Sequence, residues 1–249
     1  MSLIGLQTAV AAIIRHPRKT YDWKPEVFLK QFDLDKNELQ IVETLSKHQE
    51  LNKYGHGQAD ARLEVMLNHI DRVKRFVPSR VMKNIWFDLY EPTAIYTKSD
   101  LKGYFETSIA FLNFLKTNKE AVKRLKRSSP PFIFDMISFE IAELELSRPY
   151  CIDKPLLQGS ILKHPHFRVV KLNFDLPAWL TSQSEDLSEF ERPLILLFVR
   201  VEGKFPKIYE ITSEFKSFLQ GQIGEGTYIK ENQSIRSSLK QMNLLNPDL

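Results

Sequence analysis

The side chains that could do chemistry are few, and their spacing limits what they could do. His164-Pro165-His166 comes nearest to a metal site. An H-x-H on a strand places both rings on one face, where a cation could sit. No third ligand lies at motif spacing and Pro165 interrupts a regular strand, so turn or surface histidines are the plainer reading. Asp135, Glu140, Glu143 and Glu145 share one predicted helix over 132–147. A di-iron bundle needs Glu-x-x-His pairs, and the chain contains none. A solvated acidic face fits these residues better, with Glu140 buried against an arginine. Cys151 is the single cysteine, which excludes an intramolecular disulfide and any multi-cysteine metal cluster. Nothing local activates its thiol. His48, His56 and His69 are scattered, and no serine sits in a G-x-S-x-G elbow. The nine glycines form neither G-x-G-x-x-G nor G-x-x-x-x-G-K-[ST], which argues against the usual nucleotide sites. The residues thus offer no self-sufficient active site, and neither a catalytic residue nor a metal or other cofactor is expected in this chain.

Charge leaves more open. The chain has 249 residues and a formal net charge of +4. Lys123-Arg124-Leu125-Lys126-Arg127 concentrates cations at a predicted helix end. Such cations complement the helix dipole, so a structural reading suffices; the functional reading is phosphate contact to nucleic acid. A DNA-binding regulatory protein is therefore the alternative to a protein- or peptide-binding one. No apolar run reaches the roughly 18 residues of a membrane span. Residues Ile4–Ile14 are apolar but too short for one, and Gln7 and the lack of a basic leader argue against a signal peptide. A cytoplasmic protein is expected.

The first 148 residues read as about eight helices. Leu3, Leu6, Val10, Ile13 and Ile14 recur at helical spacing, and His16-Pro17 stops that helix. Pro25 opens a short helix with Phe28, Leu29 and Phe32. Asp35 and Glu38 have capping-box spacing, ahead of a buried stripe of Ile41, Val42 and Leu45. Tyr54-Gly55-His56-Gly57 is expected to break the pattern. One helix then carries Leu63, Met66, Leu67, Ile70 and Val73, and another, ended by Pro92, carries Val81, Ile85, Trp86 and Leu89. Helices from Ser99 or Asp100, around Val122 and Leu125, and after Pro130-Pro131 complete the set. The expected organisation is a helical domain over 1–149, a linker over 150–166 and a small α+β domain over 167–249.

Sheet signals are confined to Arg168–Leu219. Leu194–Val201 is apolar except for Arg200, as in a strand covered on both faces. Arg168–Asp175 alternates like a half-exposed strand. Val201-Glu202-Gly203-Lys204 reads as a turn into Lys207–Ile211. Thr212 can cap a helix with Phe215, Phe218 and Leu219 on its buried stripe. About three strands closed by a helix are expected, with open edges that can receive another chain. A final helix is expected near 234–245.

Four stretches, in order, carry a resemblance: GLQTAVAAII, PFIFDMISFEIAELEL, ILKHPHFRVVKLNFDLPAWL and ERPLILLFVRVEGKFPKIYEITSEFKSFLQGQIGEG. They resemble the opening helix, the closing Pro…Asp…Glu helix, the His-Pro…Arg strand and the Arg-Pro…Val-Arg hairpin of one family. This is the partner-protein family of multinuclear iron-dependent oxidative enzymes, which modify ribosomally made peptides; it includes the methanobactin partner subunit. Residues 21–98 lie outside the resemblance. The resemblance implies a non-catalytic subunit that forms a heterodimer with a TIM-barrel-like iron enzyme and presents a precursor peptide to it. The irons would lie in that partner. It also implies capture of the peptide's leader, for which an open strand edge supplies a physical route. The expected contacts are Arg168, Val169, Val170, Lys171 and Leu172 on one edge, or Lys207 and Ile208 on the other.

Overall fold

The computed structural model describes residues 3–17, 22–95, 103–147, 167–182, 184, 186–200, 205–219, 233–242 and 244. The chain is α+β: helices dominate, and a small three-stranded antiparallel sheet lies towards its C-terminal end. It divides into two compact units, Met1–Pro131 and Phe132–Leu249. The expected linker over 150–166, with Cys151, His164 and His166, lies outside the described residues, as do Ser99, Asp100 and the expected turn at 201–204.

The first unit holds α1 (Leu3–Arg15), α2 (Pro25–Phe32), α3 (Lys36–Ser46), α4 (Gln49–His69), α5 (Asp71–Phe76), α6 (Ser79–Ile85), a π-helical turn (Trp86–Tyr90), α7 (Glu91–Ala94), α8 (Tyr104–Thr117) and α9 (Lys119–Ser128). Local signals hold where they were expected. Asp35 accepts from the N–H groups of Asn37 and Glu38, each at 2.8 Å, and Glu38 accepts from the N–H of Asp35 at 2.9 Å. Four expectations fail for tertiary reasons. Gly55 and Gly57 do not break the chain, because α4 runs through both. Gly55 instead lets α1 approach closely: a Cβ there would lie 2.8 Å from the Ile14 carbonyl oxygen. The expected helix over 63–73 breaks at Ile70, whose φ of −118° and ψ of 47° separate α4 from α5. Pro92 does not end a helix, since it falls in the first turn of α7, where a missing N–H costs little. Ile41 is exposed and Leu45 half-buried, while Val42 and Ser46 make the buried contacts of α3.

The second unit is a three-layer arrangement. The sheet order is β1 (Phe167–Leu172), β2 (Leu194–Val199), β3 (Lys207–Glu210). Helix α10 (Ile133–Ser147) covers one face, with Phe139 and Phe198 edge to face at 5.0 Å. On the other face, Phe167, Leu197 and Val199 pack with Phe215, Phe218 and Leu219 of α12 (Ser213–Leu219) and with Ile235 and Leu239 of α13 (Gln233–Gln241). Between β1 and β2 run the short α11 (Leu176–Thr181) and a 3-10 turn at Leu187–Phe190. Two expectations change. Helix α10 belongs with the sheet rather than with the helical domain, so the division falls after Pro131 and not near 149. Nor does α10 present a solvated acidic face: Asp135 and Glu140 are buried, and Glu143 and Glu145 are half-buried.

Candidate peptide-binding edge

Strand β2 lies between the other two, as its apolar run required. Among the described residues the edges are therefore β1 and β3. The register decides which backbone groups each edge offers. The N–H of Ile211 donates to the carbonyl of Ile195 at 2.9 Å, so Ile195, Leu197 and Val199 direct their backbone groups towards β3. Leu194, Leu196 and Phe198 then face β1, where they oppose Leu172, Val170 and Arg168. By the same alternation, Val169 and Lys171 turn their N–H and C=O groups outward from β1. On β3, Ile208 and Glu210 face outward, and Lys207 and Tyr209 face β2.

The two edges differ in what surrounds them. β1 has six residues and β3 four. On β3, Glu210 is engaged by Arg192, which donates to its two oxygens at 2.8 and 3.0 Å and also to Asp175 at 2.5 Å. These carboxylates hold the Arg192 pKa well above its ordinary value, the Glu210 hydrogen bond first among the causes and the Asp175 bond next. β1 ends where Asp135 of α10 takes over its backbone: the Asn173 N–H donates to that carboxylate at 2.6 Å and the Phe174 N–H at 3.1 Å. This is why the strand stops at Leu172 and does not continue to Asp175.

The expected contact residues divide accordingly. Val169 and Lys171 have outward backbone groups, and their side chains share the face covered by α12 and α13; Val169 packs against that cluster. Lys171 is exposed. Arg168, Val170 and Leu172 bond inward to β2. Arg168 donates to Glu145 at 2.5 Å, so its charge is already matched. Leu172 is buried, and Lys207 is exposed with its backbone turned inward. β1 is half-exposed, as its alternation suggested: Arg168, Val169 and Val170 are half-buried and Lys171 is exposed, between the buried Phe167 and Leu172. Sequence reasoning placed Asp135 and Glu145 only on an acidic face and did not single out Arg192, because their partners lie 17 to 39 residues away. It also missed Lys216 of α12, which lies beside Lys171. The Lys216 pKa is lowered, by desolvation first and then by the neighbouring Lys171 cation.

Other candidate groups have structural partners. His69 stacks near Phe105, with ring centres 4.7 Å apart. Arg124 of the basic cluster donates to Asp88 at 2.8 Å. A cluster absent from the sequence reading joins His16 Nδ1 and Arg62 to the buried carboxylate of Glu91. Among the described residues no three His, Cys, Asp or Glu side chains are placed to hold a metal ion together. No helix among them is long and apolar enough to cross a membrane. A scan against protein-family models finds no match, and a search of curated proteins finds none.

Proposed function

We propose that this chain is a non-catalytic subunit that captures the extended leader of a ribosomally made peptide and presents it to an iron-dependent oxidative partner enzyme. The observation that carries this reading is the β1 edge, where Val169 and Lys171 turn outward backbone groups that no described residue pairs with. A peptide laid along it would gain main-chain hydrogen bonds as a fourth strand. The family resemblance supplies the identity of the peptide and the enzyme.

Panning a displayed library of random peptides on the full chain, followed by proline substitution, tests the strand. Val169→Pro removes an outward N–H and leaves the bonds to β2 in place, so the variant folds but loses peptide affinity at least tenfold. Ile208→Pro on the opposite edge keeps it. Selected peptides that bind Val169→Pro with unchanged affinity would overturn strand addition at β1. Size-exclusion chromatography with a co-expressed iron-barrel enzyme tests the partnership, and a purified chain that performs redox or hydrolytic chemistry unaided would sink it.

A further inference from the structure

The β1 edge is not chemically uniform, and this gives its ligand a pattern. Cross-strand neighbours share a face of a sheet. A residue of an added strand opposite Lys171 therefore lies on the face that α12 covers, and Lys216 of α12 is a neighbour of Lys171 there. A residue opposite Val169, two positions along, lies beside the half-buried Val169, which packs on the core cluster of Phe215, Phe218 and Ile235. No carboxylate among the described residues pairs with Lys171 or Lys216. Arg168, the other cation of β1, points to the opposite face and is held by Glu145. Two ammonium groups without a carboxylate partner among the described residues thus flank one position of the edge, and the half-buried apolar side chain of Val169 flanks the next position on that face.

We propose that the β1 edge selects an extended peptide carrying an acidic side chain opposite Lys171, between Lys171 and Lys216, and an apolar side chain two residues away opposite Val169. An antiparallel peptide would read acidic-x-apolar and a parallel one apolar-x-acidic. The selection rests on the strand-addition reading above. It adds which residues the strand must carry.

The test again pans random peptides on the full chain, and then compares one selected peptide with its Glu→Gln or Asp→Asn version. Expected is enrichment of an acidic and an apolar residue at a spacing of two. Neutralising the peptide's acid weakens binding roughly fivefold, the scale of two exposed ion pairs. The Lys171→Gln/Lys216→Gln double variant loses about the same, and the two changes together lose no more than either alone. Peptides that bind in a Val169→Pro-sensitive way but show no acidic position, or whose losses simply add, overturn this pattern and leave strand addition standing. Peptides indifferent to Val169→Pro, or no peptides at all, overturn both.

Discussion

Two buried carboxylates organise the molecule at the scale of single residues. Asp135 is 8% exposed and accepts three hydrogen bonds, from the Asn173 and Phe174 N–H groups and from Asn173 Nδ2 at 3.2 Å. Bonds to a charged acceptor are each worth more than neutral ones, and orphaned donors add a desolvation cost. Asp135→Ala should therefore destabilise the sheet unit by roughly 2–3 kcal/mol, read as a lower urea midpoint. Asp135→Asn should lose less, since an amide oxygen still accepts. Glu91 is fully buried and joins His16 to Arg62. Removing it strands an arginine, so Glu91→Ala should cost about 3 kcal/mol. An unchanged midpoint in either alanine variant would contradict these roles. Neither group was legible in the sequence. Asp135 bonds to backbone 38 and 39 residues onward, and His16 is 75 residues from Glu91. Spacing rules reach one or two helical turns and stop there.

Elements were legible where a local signal set them and misread where a distant neighbour did. The capping box of α3, Pro25 at the start of α2 and Thr212 before α12 act within four residues, and each is present; the Phe215 N–H donates to Thr212 Oγ1 at 3.2 Å. Gly55 and Gly57 look alike in sequence, yet only Gly55 lies against another helix. Gly55→Ala would press a methyl group on Ile14 and Pro17, and should cost about 1–3 kcal/mol. Gly57→Ala meets nothing within 4 Å and should gain roughly 0.5–1 kcal/mol in the helix interior. Thermal midpoints moving the same way in both variants would refute this distinction. The contact between β1 and α12 carries a pH signature. A lysine whose folded pKa is lowered binds its proton less readily than in the unfolded chain, so it detracts from stability as pH falls below its unfolded value. Lys171→Gln should therefore raise the Lys216 pKa, followed by NMR, and stabilise the protein at neutral pH but not where both amines are neutral. A Lys216 titration that does not move would remove Lys171 as a cause.

For the whole molecule, the α+β class and the central place of β2 followed from composition along the chain. The division into units did not, because α10 reads like the helices before it and only its packing on β1 and β2 assigns it to the sheet. Net charge needs the same spatial correction before it can speak for nucleic acid. Of the cations at 123–127, Arg124 is held by Asp88 at 2.8 Å and Glu120 at 3.6 Å, and Lys123 lies 3.9 Å from Glu120. The Arg124 pKa is raised, with the Asp88 hydrogen bond the largest cause. Among the described residues that leaves Lys126 and Arg127 without a carboxylate, in the last turn of α9, where both also complement the helix dipole. Two phosphate contacts release about two counterions, so log affinity for duplex DNA should fall with log salt at a slope near −2. Binding that shallow is weak to begin with, and should vanish near physiological salt. Fluorescence anisotropy with a labelled duplex, titrated at four salt concentrations, measures the slope. A tight complex with a slope of about −5 or steeper would require five or more phosphate contacts. The cluster at 123–127 could not supply them, and the DNA-binding reading would then displace the peptide-binding one.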